Sequence, residues 1–195
     1  QIGLSFAISL GVSDFYQNLA GEETSIKWPN DLYWRDRKAG GILIENTVRG
    51  NAWAWSIIGI GININQTEFS TEVGRPVSLR QITGKDWDIS MLLTELSKEL
   101  TMRVNEWIHT GVDGLLKQYN HRLFKKGAMV NFNANGNSFT GKVMGVNEKG
   151  QLIVDQGTIE TYNFGDLKCA ADIRSADNGS TPKGAPAGIV PRQYT

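Results

Sequence analysis

The chain has 195 residues, 40% of them hydrophobic and 21% charged, proportions of an ordinary globular protein that set global disorder aside. Lys and Arg number 20, as do Asp and Glu, so the total charge draws the chain neither to nucleic acid nor to an anionic membrane, and any anion it binds must be met locally. A single cysteine, Cys169, excludes an internal disulfide and a cysteine metal cluster and goes with a reducing, cytoplasmic setting.

No apolar run approaches the roughly 18 residues of a membrane span, and the first residues lack the basic-then-apolar form of a signal peptide. Gln1 stands where an initiator Met would and leads straight into an apolar run, so a segment upstream is expected. Ile2, Phe6, Leu10 and Val12, then Phe15, Tyr16 and Leu19, recur at helical spacing up to Gly21, which predicts a core-facing helix with a glycine stop. Gly3 and Gly11 weaken that helix unless they mark close packing.

Ser25 to Trp28 reads as a short strand ended by Pro29, which places Asn30 and Asp31 at a strand end. Leu32–Trp34 and Gly41–Glu45 form an expected hairpin around the charged turn Arg35-Asp36-Arg37-Lys38, with Gly40-Gly41 letting backbone come close. Ala52 to Ile64 supplies another strand, ending in the glycine-punctuated run Gly59-Ile60-Gly61-Ile62-Asn63-Ile64-Asn65. That run finishes a strand without opening a helix, so it is no dinucleotide fingerprint.

Residues 66–75 are polar and loop-like, and Val77 to Thr83 is expected to be a short helix stopped by Gly84. From Ser90 to Trp107 the set Leu92, Leu93, Leu96, Leu100, Val104, Trp107 and Ile108 keeps helical period, with Asp88 or Ser90 as N-cap. Leu115 to Leu123 gives a shorter helix, and both are expected mainly to cover the sheet. At Gly127 the pattern changes to five short strands, Ala128–Asn133, Phe139–Val146, Leu152–Asp155, Ile159–Phe164 and Leu167–Ala170, separated by Asn135-Gly136, Lys149-Gly150, Gln156-Gly157 and Gly165-Asp166. A small closed barrel of SH3-like type is expected there. The division is then a domain at 1–125, a small one at 127–170, and an aperiodic tail at 172–195 expected to be disordered.

Lys38 is the leading chemical candidate. A lysine on a hairpin turn is ordinarily a solvated charge, but Gly40-Gly41 behind it and Asn30-Asp31 before it add backbone amides and a carboxylate, a set suited to phosphate chemistry. Asp31 reads equally as a turn residue or as the one carboxylate that holds Mg²⁺ when substrate phosphates supply other ligands. His109 and His121 are expected at caps or surface positions, and the tryptophans at 53, 55, 87 and 107 in packing rather than base stacking.

The blocks Lys27-Trp28-Pro29-Asn30-Asp31, Lys38-Ala39-Gly40-Gly41-Ile42-Leu43-Ile44-Glu45 and Gly59-Ile60-Gly61-Ile62-Asn63-Ile64-Asn65 resemble, in order and spacing, the KWPND, KxxGIL(x)E and GxGxNxN blocks of biotin protein ligases. The resemblance implies an α+β fold, a mixed sheet with helices related to class II aminoacyl-tRNA synthetases and lipoyl ligases, followed by an SH3-like domain. It implies joining of biotin to ATP as biotinyl-5′-adenylate, then transfer of biotin to a lysine of a carboxylase carrier domain. By this resemblance Lys38 is the essential lysine between the biotin carboxylate and the α-phosphate. Asp31, with Asn30 and Lys27, manages the triphosphate and its Mg²⁺. Gly41, Ile42, Leu43, Gly59 and Gly61 wall the biotin beside Lys38, and Ile62, Asn63 and Ile64 bound the adenine.

One departure matters: the family's GRGRxGR loop, which lies upstream of the first helix and closes over the adenylate, has no counterpart in the 195 residues. The chain as it stands is therefore expected to be a poor ligase or an inactive one. No run resembles the winged helix of those members that act as biotin-dependent repressors, so contact with nucleic acid is not expected from these residues. An exposed sheet edge could pair two copies into a homodimer. Two other readings stand beside the ligase: a lipoyl ligase, against which KWPND and the GxGxN block speak, and a noncatalytic module whose barrel docks a protein.

Overall fold

The computed structural model describes residues 1–50, 52–70, 75–134 and 136–169. The expected tail at 172–195, Asn135 of the Asn135-Gly136 turn, Ala170 and part of the 66–75 loop lie outside the described residues.

The first helix, α1 (Ile2–Ala20), ends as expected at Gly21, whose φ of 89° and N–H bond to Gln17 close the last turn. It is apolar around its circumference and sits inside the molecule accordingly: Leu4, Ile8, Val12 and Phe15 join one hydrophobic cluster, Phe6, Ala7 and Leu10 another. Both helical glycines mark close approach. A Cβ on Gly3 would lie 2.1 Å from Nε1 of Trp107, and one on Gly11 3.1 Å from the Cα of Leu100.

Four strands follow in a meander: β1 (Thr24–Lys27), β2 (Asp31–Trp34), β3 (Arg37–Arg49) and β4 (Ala52–Ile62), each antiparallel to the next. The expected mixed sheet is thus corrected to an antiparallel one, because short turns join successive strands and parallel pairing needs a long crossover. Parallel geometry enters at two isolated bridges, Ile26 with Leu123 and Lys38 with Pro76. The hairpin turn is also tighter than expected. Trp34 already pairs with Arg37, so Arg35 and Asp36 alone make the turn, and Lys38 belongs to β3.

A short helix α2 (Leu79–Thr83) starts with a capping box between Ser78 and Gln81 and stops at Gly84 in the left-handed region. The long helix α3 (Ile89–Thr110) is capped by Asp88, whose carboxylate accepts from the amides of Ser90 and Met91. After α4 (Asp113–His121) the chain enters the second sheet. The expectation that α3 and α4 mainly cover the sheet is corrected: α3 packs along α1, and α4 against α1 and the second sheet. Their apolar stripes find α1 first because α1 presents apolar surface on every side.

The second sheet contains β5 (Met129–Ala134), β6 (Asn137–Val146), β7 (Leu152–Asp155), β8 (Ile159–Tyr162) and β9 (Lys168–Cys169) in the order β8-β7-β6-β5-β9. A closed barrel was expected; among the described residues the sheet stays open, with β8 and β9 at opposite edges. The described part of β9 pairs through Lys168 and Cys169 with β5. One hydrophobic cluster runs through both halves, uniting Phe6, Leu10, Ile26 and Tyr119 with Val130, Phe132, Val143 and Val154. No helix among the described residues is long and apolar enough to cross a membrane.

Candidate active site

The corner Trp28-Pro29-Asn30 joins β1 to β2 through a cis Trp28–Pro29 bond and delivers Asp31 to the first position of β2. There Asp31 stands opposite Gly41 in the β2–β3 register. Lys38 lies three residues earlier in β3, and its backbone is gripped by a third segment: its N–H donates to Arg75 O at 2.8 Å and its carbonyl accepts from Val77 at 2.9 Å. The Nζ of Lys38 meets Oδ1 of Asp31 at 2.6 Å, with the side chains 41% and 25% exposed. Both groups therefore remain open to a ligand.

Gly41 makes this pair possible. A Cβ there would sit 3.0 Å from Oδ1 of Asp31 and 3.7 Å from Nζ of Lys38, so the ion pair rests on bare backbone. Gly61, opposite Gly41, and Gly59, opposite Leu43, extend the bare floor. A Cβ on Gly61 would meet nothing within 4 Å, and one on Gly59 only Leu43, at 3.9 Å. Beyond them Leu43 and Ile57 are 60% and 62% exposed on the same face. The open face of the first sheet is thus an apolar, glycine-floored shelf with a cation and a carboxylate at one end.

Strand alternation divides the expected residues between the two faces. Gly41, Leu43, Gly59 and Gly61 lie on the open shelf with Lys38 and Asp31. Ile42, Ile62 and Ile64 turn the other way and pack into the core beside α1; Ile42 also borders a groove of about 310 Å³ against Ser5 and Ser9. The two asparagines brace the backbone. Asn30 brackets Ile42, accepting its N–H at 2.9 Å on the backbone carbonyl while its side-chain amide donates to Ile42 O. Asn63 donates to Val77 O at 3.2 Å and Lys38 O at 3.4 Å, tying the grip on Lys38 to the end of β4. Lys27 pairs opposite Asp31, and its ammonium donates to Tyr33 OH at 3.1 Å. With Asn30 and Asp31 it lines a cavity of about 370 Å³ that reaches the second sheet.

Among the described residues no group of three His, Cys, Asp or Glu side chains could hold a metal ion on its own. A divalent cation held by one carboxylate together with substrate phosphates and water would find a fitting carboxylate in Asp31, whose side chain is 25% exposed beside Lys38. His109 and His121 are exposed at the ends of α3 and α4, away from this chemistry. Sequence reasoning missed the segment Arg75-Pro76-Val77, whose composition gave no sign that it would clamp the backbone of Lys38. The parallel bridge it makes joins residues 38 positions apart.

Comparison with known proteins places residues 3–63 in the Biotin/lipoate A/B protein ligase family, a span that includes every residue of the shelf. Over 179 residues the chain is 27% identical to the bifunctional ligase/repressor BirA of Escherichia coli, covering 90% of this chain and 54% of that protein. It is 28% identical over 158 residues to the biotin–[acetyl-CoA-carboxylase] ligase of Mycobacterium tuberculosis, covering 79% of this chain and 57% of the relative. The chain thus spans about half the length of the curated relatives it matches. Among solved structures, the biotin protein ligase of Aquifex aeolicus in complex with biotin and ATP superposes with a TM-score of 0.72 at 27% identity, covering 87% of this chain and 71% of that one.

Proposed function

Because this chain belongs to the biotin protein ligase family, we propose that its shelf activates biotin with ATP and hands it to a lysine of a carboxylase carrier domain. The observation that carries this reading is the Lys38–Asp31 pair lying over Gly41 at the end of the glycine-floored face. A flat ring with an apolar tail suits a floor without side chains. The carboxylate at the end of that tail then comes to the ammonium of Lys38.

The chemistry needs that ammonium. In the first step a carboxylate oxygen of biotin attacks the α-phosphorus of ATP, and pyrophosphate leaves. Two anions must approach each other, and a fixed positive charge between them lowers the cost by stabilising charge as it develops. Lysine serves as a compact point charge on a flexible stem. In the second step the acceptor amine attacks the acyl carbon, and AMP leaves. Asp31 would hold Mg²⁺, which neutralises phosphate charge when bound. Lys27 adds cationic charge on the triphosphate side, while Asn30, Asn63, Ile62 and Ile64 shape the nucleotide side through the backbone they brace and the core they fill. Ile42 supports the shelf from beneath. In this reading residues 1–125 form the catalytic domain, the second sheet is the SH3-like unit of the family, and the setting is cytoplasmic.

Lys38→Ala tests the reading. An ion pair this exposed contributes about 0–1 kcal/mol to stability, so the variant should stay folded while biotinyl-adenylate formation drops by roughly 100-fold or more. Where the unaltered protein forms biotinyl-adenylate, equal turnover in the variant would move the chemistry elsewhere. Calorimetry separates the other readings: preference for lipoate over biotin supports a lipoyl ligase, and binding of neither supports a noncatalytic module.

A further inference from the structure

Behind the Trp28–Asp31 corner runs a circuit of hydrogen bonds that reaches the second sheet. Tyr119 on α4 is 1% exposed, and its hydroxyl donates to the carbonyl of Pro29 at 2.9 Å. The next residue, Asn120, meets the end of β6 with both amide atoms: Nδ2 donates to Val146 O at 2.8 Å, and Oδ1 accepts from Val146 N at 2.7 Å. The turn after β6 folds around Asn147, whose Oδ1 accepts from the amides of Lys149 and Gln151 at 3.0 Å. That turn presents the carbonyl of Gly150 to the indole N–H of Trp28 at 2.9 Å. Gly150 has φ of 80°, which favours glycine, and a Cβ there would lie 2.3 Å from Cδ1 of Ile2, so the turn lies close against the start of α1. From Trp28 through Gly150, Val146, Asn120 and Tyr119 the path returns to Pro29.

Asp31 and Lys38 are thus placed by different parts of the molecule. The backbone of Lys38 is gripped by Arg75 and Val77. Asp31 follows two residues after Pro29, whose position Tyr119 and the second sheet set. Trp28, Pro29 and Asn30 also form a wall common to the two cavities of about 370 and 310 Å³, so a shift of the corner alters both at once.

We propose that Trp28, Tyr119 and Asn120 are positioning residues through which the second sheet sets the Asp31 carboxylate against Lys38. This rests on the Lys38–Asp31 pair as the reacting centre. The test reads the pair without needing turnover: acylation of each lysine by a trace of acetic anhydride, quantified by isotope-coded mass spectrometry on the folded chain. Asp31→Asn gives the rate of Lys38 with its partner charge removed. Tyr119→Phe and Trp28→Phe each delete one donor and should speed acylation of Lys38 toward that limit, by about 2- to 10-fold for a lost hydrogen bond of ordinary strength. The exposed Lys98 and Lys117 should be unchanged.

Asn120→Ala provides a third break in the circuit, and circular dichroism identifies any variant that does not fold. Where turnover is measurable, kcat should fall while KM for biotin holds, since none of the three residues lies on the shelf. Lys38 acylation unchanged in the folded Tyr119→Phe and Trp28→Phe variants overturns the proposal. Acylation that responds in a chain that makes no biotinyl-adenylate leaves the positioning intact and removes the ligase reading instead.

Discussion

Gly40 and Gly41 are neighbours with different physical duties. A Cβ on Gly40 would lie 2.5 Å from the backbone oxygen of Gly61, an atom that cannot turn aside, so Gly40→Ala must push β3 from β4. A Cβ on Gly41 would meet the end of the Asp31 side chain at 3.0 Å, which can rotate away. Gly40→Ala should therefore cost about 1–3 kcal/mol in denaturant unfolding, the range of an overpacked core. Gly41→Ala should cost less than about 1 kcal/mol, yet weaken biotin binding in calorimetry by displacing the carboxylate. The reverse ranking would contradict the assignment of Gly41 to the shelf. The sequence announced a close backbone approach at this pair but not its direction. Which glycine faces the neighbouring strand and which faces the ligand depends on register, and register is a property of two strands.

At the scale of elements, helical period made α1, α3 and α4 legible, and turn residues marked most strand ends. The packing partner of each helix was not legible, since a stripe of leucines states that a face is buried without stating against what. Asp14 is the clearest case. It sits on α1 and receives Arg103 from α3 and Arg122 from just beyond α4, at sequence separations of 89 and 108, and nothing local distinguishes it from a surface aspartate. The side chains of Asp14, Arg103 and Arg122 are 13%, 14% and 22% exposed, and Arg103 also reaches Glu106 and Gln118. Asp14→Asn would leave two arginines facing a neutral amide in a partly closed space, a loss of about 3 kcal/mol. Asp86→Asn, which breaks the exposed pair with Arg80, should cost under about 1 kcal/mol. Equal shifts in thermal midpoint would show that the Asp14 cluster is no more than a surface network. A β-bulge completes the picture at this scale. Trp55 pairs with Thr47 and Trp53 with Val48, leaving Ala54 unmatched. Trp53 therefore turns inward to Trp107, with ring centroids 5.9 Å apart, while Trp55 takes Arg49 over its ring on the open face. Strict alternation would have put both tryptophans on one side, which is why sequence pattern could not separate them.

For the whole molecule, alkaline pH reports on the shared interior. Tyr16 and Tyr119 are buried, and the loss of hydration raises the pKa of each phenol well above its ordinary value of 10. A group whose pKa is raised on folding contributes stability that is intact below its unfolded value and is lost as pH climbs toward the folded one. Stability should therefore fall above pH 10. Tyr119→Phe should flatten that alkaline limb, as equilibrium unfolding at a series of pH values would show; an unchanged limb would place the titrating groups elsewhere. The change from helices to short strands at Gly127 was visible in the sequence, but the continuity of the core across it was not, because the sharing of one hydrophobic cluster by Leu10 and Val154 leaves no local trace. That continuity bears on how the protein is made. The helix α1 is the first part of these residues to leave the ribosome, and the side that carries Phe6 is not covered until Tyr119 of α4 has been synthesised. During the intervening synthesis it is an apolar segment without its full set of partners, exposed to nascent-chain aggregation and a natural substrate for holding chaperones. The helix buried most completely in the finished protein is the one that must wait longest for its shelter.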